Sequence, residues 1–331
     1  MGNLPEQRLN PGYVFQTTGV DYAGPLIAAD RKGRGCKLIK VYVVVFVCFT
    51  TKCLHLELVT SLTKEAYIAA LHRFIARRGK PATIFSDNGT QFVGAKNELN
   101  AFLKQNSSSI SEFMANEFVD FKFIPAYAPH FGGLWEAGVK SFKHHLTRVI
   151  GDSHLTFDEL YTILVKIEAT LNSRPLSPIS SDPSDLNPLT PGHFLVGRPL
   201  TALPVPPLEN VNPTRLQRWN RVEQIHQHFW TRWQKEYVSE LQQKTKWRSC
   251  KGHLDTGTMV IIKEDAVPPL KWSLGRIVRV HPGIDGVNRV ADIQTNRGII
   301  RRAFNRICPL PLDDEPVESR TFNAGGHVKE P

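Results

Sequence analysis

The sequence has no paired-cysteine motif. Its five cysteines, Cys36, Cys48, Cys53, Cys250 and Cys308, are odd in number and no CxxC occurs. That argues for a reducing compartment, and against both a disulfide framework and a cysteine-based zinc site. Long apolar runs are also missing. The longest, Leu38 to Phe49, is broken by Lys40 and is too short to span a bilayer, so no insertion into a membrane is expected. Residues 1–16 are polar and contain prolines, without the apolar run of a signal peptide. No internal repeat is present. Acidic residues are scarce in one region. Residues 213–308 hold 18 Lys and Arg against 8 Asp and Glu, and elsewhere the two signs balance at 23 each. The net charge of +10 therefore sits in the C-terminal third. It favours a polyanionic partner, nucleic acid or an acidic membrane surface, over the bland reading of a soluble basic face.

With 331 residues the chain is too long for one typical core, and two or three domains are expected. "TTGVDY" at 17–22 reads as a short strand, followed by the Gly- and charge-rich turn "AADRKGRG". Residues 37–48, rich in β-branched and aromatic side chains, form a buried strand, and "CLHLELV" at 53–59 a third. Short connections between them suggest an antiparallel meander. Thr63 caps a helix whose Tyr67, Leu71, Phe74 and Ile75 recur at helical spacing, and Gly79 with Pro81 ends it. "ATIFS" at 82–86 is then a strand delivered by a helix, and so parallel to the first. A helix from about Gly94 to Gln105, the Ser-rich loop at 106–111 and a fifth strand at 118–125 follow. A Gly-bearing loop at 126–136 passes into a helix reaching Ile150, and another helix spans 157–172. The order βββαβαβα is an α/β core around a mixed five-stranded sheet.

Ten of the 23 prolines fall between Pro175 and Pro213, which reads as an extended linker or wrapping segment. Residues 214–247 contain neither Pro nor Gly and carry Leu216, Trp219, Val222, Ile225, Phe229, Trp233 and Tyr237 at steps of three or four, a long amphipathic helix. Short strands with Gly-bearing turns then predict a small all-β barrel, with Trp272 and Ile277 in its core. Packing is also the expected use of Trp219, Trp230, Trp233 and Trp247, ahead of base stacking. The expected divisions are a linker remnant (1–13), the α/β core (14–175), the Pro-rich linker (176–212), the helix (213–248), the basic barrel (249–312) and a disordered tail (313–331).

Two carboxylates stand out by position: Asp21 on the first strand and Asp87 at the tip of the fourth. If the strands are parallel neighbours, both meet at one sheet edge. Converging carboxylates repel, and a divalent cation is the usual resolution. Glu98, Glu112, Glu117, Asp120 and Glu136 are candidates for a third ligand. Glu136 fits best, in the first turn of a helix after Gly132 and Gly133, with Lys140 and Lys143 four and seven residues on. The plainer readings remain open at this point. Asp-Asn-Gly is first of all a turn, and a first-turn Glu suits a helix dipole.

The segments "TTGVDYAGPL", "FSDNGTQFVGAKNEL" and "AYAPHFGGLWEAGVKSFK" resemble the catalytic core of retroviral-type integrases, most closely those of BEL/Pao-type LTR retrotransposons. The family pattern of Asp, Asp-Asn-Gly-x-x-Phe and Tyr-x-Pro-x-x-x-Gly-x-x-Glu falls on Asp21, on Asp87 through Phe92, and on Tyr127 through Glu136. Asp87 and Glu136 are 49 residues apart, more than in retroviral members, and the Ser-rich loop accommodates the excess. "LNSRPLSP", "LTPGHFLVGRPL", "RWNRVEQIHQHFWTRW" and "KWSLGRIVRV" extend the resemblance across about residues 4–311.

The resemblance implies a ribonuclease-H-like core followed by an SH3-like barrel. It implies two Mg2+ or Mn2+ ions, with Asp21 bridging both, Asp87 on one and Glu136 on the other. It implies a DDE-type enzyme that processes 3′ ends of element DNA and joins them to target DNA. Double-stranded DNA and further copies of the chain would be the partners, and the nucleus, possibly besides the cytoplasm, the working place. Lys140, Lys143, Tyr127, His130 and Asn88 match positions near the DNA end. The His-His-Cys-Cys zinc domain of complete integrases has no counterpart here, so a polyprotein fragment, a decayed copy and a host-retained derivative are all expected possibilities. A catalytically idle DNA-binding derivative is the alternative function. A DNA-transposon transposase of the same fold is a third reading, disfavoured by "GGLWEAGVKS" and the C-terminal motifs.

Overall fold

The computed structural model describes residues 12–33, 35–105, 119–123, 133–151, 153–248, 255–265, 267–284 and 288–311. Its first strands, β1 (Thr17–Ala29), β2 (Leu38–Cys48) and β3 (Leu54–Val59), form the antiparallel meander. β1 outruns its expected end at Tyr22. Gly24 and Pro25 break the pairing pattern locally, and a bulge between Ala23 and Leu26 absorbs them before Leu26–Ala29 pairs with Leu38–Val41. Next come α1 (Lys64–Arg78), β4 (Thr83–Ser86), α2 (Thr90–Gln105) and β5 (Asp120–Phe123). α2 starts four residues earlier than its sequence suggested, because the turn after β4 is itself the helix start: Gly89 O accepts from Phe92 N and Val93 N at 3.0 and 3.1 Å. The core closes with α3 (Gly133–Ile150) and α4 (Phe157–Asn172). The sheet order is β3-β2-β1-β4-β5, with β4 and β5 parallel to β1. That strand order and sense define a ribonuclease-H-like core.

β2 explains the layering. Its alternate residues enter different cores. Val41, Val43, Val45 and Val47 join Phe142 and Leu146 of α3 and Leu160, Ile163 and Ile167 of α4 on one face. Val44, Phe46 and Cys48 join Tyr67, Leu71 and Phe74 of α1 and Phe92 of α2 on the other. A strand buried on both faces reads as a continuous apolar run, as residues 41–48 do.

β3 lies at the sheet edge, and α4 covers its open backbone. Asn172 accepts from Leu54 N at 2.9 Å and donates to Leu54 O at 2.8 Å, and Glu168 Oε2 accepts from Leu56 N at 2.8 Å. These side chains finish the ladder and deny the edge to another strand. Glu168 also holds Arg78 and His55, and His55 holds Glu57 at 3.0 Å. Arg73 and Arg77 of α1 complete a buried charged network at Glu57, at 2.6 and 3.0 Å.

The Pro-rich stretch wraps the core. It contains the short pair β6 (Ser177–Pro178) and β7 (Pro188–Leu189) and one helix, α5 (Pro191–Val196). Further on, buried Leu208 has its backbone held by Gln224 and Gln227. These glutamines lie on α6 (Arg218–Arg248), whose Val222, Ile225, Phe229, Trp230 and Trp233 pack into the core beneath α3 and α4. Trp219 instead stays exposed under the Lys166 ammonium, and the side chain of Trp247 lies outside the described residues.

The C-terminal strands are β8 (Met259–Ile262), β9 (Leu274–Pro282), β10 (Asn288–Thr295), β11 (Gly298–Ala303) and β12 (Ile307–Pro309). Their order is β11-β10-β9-β8-β12, all antiparallel, with a 3₁₀ turn at Phe304–Arg306 before the last strand. This is an SH3-like arrangement. Gly275 lets β9 approach β10: an added Cβ would stand 2.4 Å from Ile293 Cγ2 and 2.7 Å from Gln294 O.

Ile277 is in the barrel core, but Trp272 is not. Its indole packs against Trp230, Trp233 and Tyr237 of α6 and donates to Ser173 Oγ at 3.3 Å. The sequence could not separate these outcomes, since a large aromatic beside a strand serves a barrel interior or a seam equally well. Buried Arg276 adds a second tie, donating to Asp185 O at 3.1 Å, to Gly257 O at 3.0 Å and to Ser180 O. Among the described residues no helix is long and apolar enough to cross a membrane. The expected tail at 313–331 and the Ser-rich loop at 106–111 lie outside the described residues.

Two buried histidines pull stability in opposite directions with pH. Burial alone would lower the His55 pKa, but its bonds to Glu168 and Glu57 outweigh that and raise it above 6.5. The stability it contributes is present below 6.5 and lost as pH rises through the raised value. His226, buried between α4 and α6 beside Thr170, is pushed down to about 4 by burial and then by Lys166. Its contribution is present above 6.5 and lost as pH falls toward about 4. In urea titrations across pH, His226→Gln should flatten the acid limb of stability and His55→Gln the limb above 6.5. Unchanged slopes in both variants would contradict this account.

Candidate active site

β1 and β4 pair in parallel through Thr17↔Thr83, Thr18↔Ile84 and Gly19↔Phe85. Continuing that register two residues along both strands brings Asp21 level with Asp87. Parity gives the same answer about faces. Val20 and Tyr22 belong to the α1 side and Ala23 to the α3 side, so Asp21 shares the α3 side. Ile84 belongs to the α1 side and Phe85 to the α3 side, so Asp87, two residues on, continues the Phe85 face.

Asp21 is partly shielded, with a quarter of its side chain exposed. Its Oδ1 accepts from Tyr22 N at 2.7 Å. Its Oδ2 accepts from the Lys143 ammonium of α3 at 2.9 Å. Tyr22 turns the other way and packs on Phe92, with ring centroids 5.5 Å apart; Phe92 meets Tyr67 edge-on at 4.8 Å. Burial pushes both phenols above their ordinary value, so these tyrosines support the site as neutral bodies.

Asp87 is exposed beyond the end of β4. Its Oδ1 accepts from Gly89 N at 3.0 Å, the bond of an Asx turn. Two aromatics clamp this turn from opposite faces. Phe85, before it, stacks on Phe49 at 5.0 Å on the α3 side. Phe92, after it, is fully buried on the α1 side. Buried Ser86 donates to Asp87 O at 3.0 Å. Gly89 leaves room for two side chains: an added Cβ would stand 2.5 Å from the movable Gln91 Nε2 and 3.0 Å from Asp87 Oδ1.

Glu136 lies on α3, seven residues and so nearly two turns before Lys143, on the helix whose Phe142, Leu146 and Ile150 seat it in the core under the sheet. The side chains of Glu136 and Lys140 lie outside the described residues, as do Tyr127 and His130 entirely. Asn88 is exposed in the turn beside Asp87. Among the described residues no three His, Cys, Asp or Glu side chains gather into a metal-binding group. The two aspartates nonetheless offer hard oxygen donors at one edge, the kind that suits Mg2+ or Mn2+, and Asp21 already holds a cationic group. The Lys143–Asp21 pair went unread in the sequence. Its only signal is strand alternation, which turns Asp21 toward the helix that carries Lys143.

The barrel exposes Arg279, Arg297, Arg301 and Arg306. Arg301 is held by Asp292, to which it donates at 2.6 and 3.1 Å, and the same carboxylate bonds His281 at 2.7 Å. The bonds from Arg301 and then His281 hold the Asp292 carboxyl well below the ordinary carboxylate range.

Residues 217–310, from the start of α6 through the whole of β12, match the model of a family of unknown function (DUF5641). Over 169 residues, half of the chain, it is 25% identical to an uncharacterized protein K02A2.6 of Caenorhabditis elegans. The chain spans only 11% of that relative's length. Among solved structures it is similar to a simian T-cell lymphotropic virus intasome in complex with PP2A regulatory subunit B56 gamma. There the identity is 13% and the TM-score 0.37, covering 91% of this chain and 80% of that one. It is also similar to the HTLV-2 integrase catalytic core domain in complex with magnesium, in its trimeric form. That match has 17% identity and a TM-score of 0.34, covering 55% of this chain and 97% of that one. The chain resembles the retroviral-type integrases. Of the motif set, Asp21 lies on β1, and the Asp87–Phe92 segment follows the end of β4, the parallel neighbour of β1, as a turn running into α2.

Two substitutions separate support from position at the Asp87 turn. Phe92→Ala removes a fully buried ring and should cost about 3–5 kcal/mol in urea unfolding. Gly89→Ala meets mainly the end of a flexible glutamine and should cost no more than about 1 kcal/mol, while pushing the Asp87 carboxylate out of its turn. If Gly89→Ala unfolds the protein as readily as Phe92→Ala, the turn is a folding element first.

Proposed function

We propose that this chain is the core and C-terminal part of a retrotransposon integrase, a DDE-type polynucleotidyl transferase acting on DNA ends and target DNA. The observation that supports the reading is the parallel β1–β4 register, whose continuation past Gly19↔Phe85 would bring Asp21 level with Asp87 on the face packed against the helix that carries Glu136. Asp21, Asp87 and Glu136 would hold two Mg2+ or Mn2+ ions. When bound, such ions supply an activated oxygen nucleophile and stabilise the leaving oxygen of an in-line displacement.

The chain's own residues do the rest. The Gly89 amide fixes the Asp87 carboxylate, and Tyr22 on Phe92 fixes the strand carrying Asp21. Lys143 stands beside Asp21, within reach of a phosphate brought to that carboxylate, and Lys140, Asn88, Tyr127 and His130 would line the path of the DNA end. The exposed barrel arginines would grip backbone phosphates with strong salt dependence and little sequence reading. With water as nucleophile the outcome is 3′-end processing. With the element's own 3′-hydroxyl it is strand transfer. The resemblance implies a homo-multimer working on two DNA ends, in the nucleus.

The test is disintegration of a branched DNA that mimics the strand-transfer product, with Mn2+, beside the Asp87→Asn variant. Resolution by the parent and a loss of at least about 100-fold in the variant is the expected result. A folded parent that binds DNA and leaves the branch intact would leave the alternative, a catalytically idle DNA-binding derivative.

A further inference from the structure

Both oxygens of Asp21 are engaged by the chain itself. Oδ1 has the Tyr22 amide at 2.7 Å and Oδ2 the Lys143 ammonium at 2.9 Å. Continuing the β1–β4 register two residues beyond Gly19↔Phe85 brings Asp87 toward this carboxylate, and two anions brought to one sheet edge repel. The Lys143 ammonium relieves that repulsion. It also occupies the oxygen that a cation approaching Asp21 from the α3 side would need. Lys143 is about one-third exposed, so its four-carbon stem can swing away without unpacking the helix. Its backbone carbonyl accepts from Thr147 Oγ1 at 2.9 Å, which keeps that turn of α3 in place when the side chain moves.

We infer that Lys143 is the resident counter-ion of Asp21, and that divalent-metal binding here is an exchange in which the ammonium leaves the carboxylate and becomes free to take a DNA phosphate. This rests on the metal-site reading of Asp21 and Asp87. Lys143 is a positioning residue in this scheme, since it acts through Asp21. Exchange makes the metal and the phosphate mutually supportive ligands. Metal drives the ammonium off Asp21, and a phosphate that captures the ammonium empties the Asp21 oxygen. By linkage each must raise the affinity for the other by the same factor.

The experiment is Mn2+ titration of the full chain by calorimetry, with and without a short blunt DNA duplex, using parent, Lys143→Met, Lys143→Arg, Lys140→Met and Asp87→Asn. Without DNA, Lys143→Met should bind Mn2+ about fivefold more tightly than the parent, the worth of a partly exposed ion pair. Lys143→Arg should stay near the parent. Lys140→Met controls for the loss of a positive charge one turn away and should change affinity by less. The duplex should tighten Mn2+ binding by the parent and leave Lys143→Met nearly unmoved. The melting temperature without metal should fall in Lys143→Met while its rise on adding Mn2+ grows. Equal Mn2+ affinities for parent and Lys143→Met, in a protein whose Asp87→Asn variant loses the metal, would overturn the exchange and leave the metal site standing. A parent that binds no Mn2+ at all would overturn both.

Discussion

The parallel pairing of β1 with β4 is the constraint on which the site depends. A carboxylate at the end of a four-residue strand means little alone. It becomes half of a site only because the crossover through α1 delivers β4 beside β1 in one particular register. A slip of one residue would turn Asp87 to the opposite face and bury the wrong side of the strand. The register is held by what lies on either side of it. Phe85 and Phe92 enter different cores, and Ile84 packs with Phe92 beneath α1 and α2. The site is thus secured by apolar burial, while its polar atoms point out of the sheet edge.

The same economy governs the other boundaries. Edge strand β3 is not left open, because Glu168 and Asn172 present acceptors and donors where a neighbouring strand would. Glu168 is buried, which is tolerable only because Arg78, His55 and the Leu56 amide share its charge. The barrel is tied to α6 by Trp272 among its aromatics, and to the Pro-rich segment by Arg276 on the Ser180 and Asp185 carbonyls.

The sequence was legible wherever a period or a motif is local. The continuous apolar run of residues 41–48, the helix at 157–172 and the meander all follow from patterns within a dozen or so residues. The Asp87–Phe92 string is legible because an Asx turn needs only neighbouring residues. β1 was cut short because Gly24 and Pro25 look like a strand end when the bulge that accommodates them is unseen. Trp272 was misplaced because a strand pattern gives a side, and not which of two cores lies on that side.

By itself, then, the sequence determined the element types, the two-faced burial of β2, the basic C-terminal third and the order of the carboxylate motifs. Only the tertiary structure decided which groups meet. Lys143 on Asp21, Asn172 on Leu54 and Arg276 on Ser180 join residues 96 to 122 positions apart. The physical reason is that such contacts are set by strand register and helix docking. Those are fixed by the sum of packing across two cores, and no single stretch of chain records that sum.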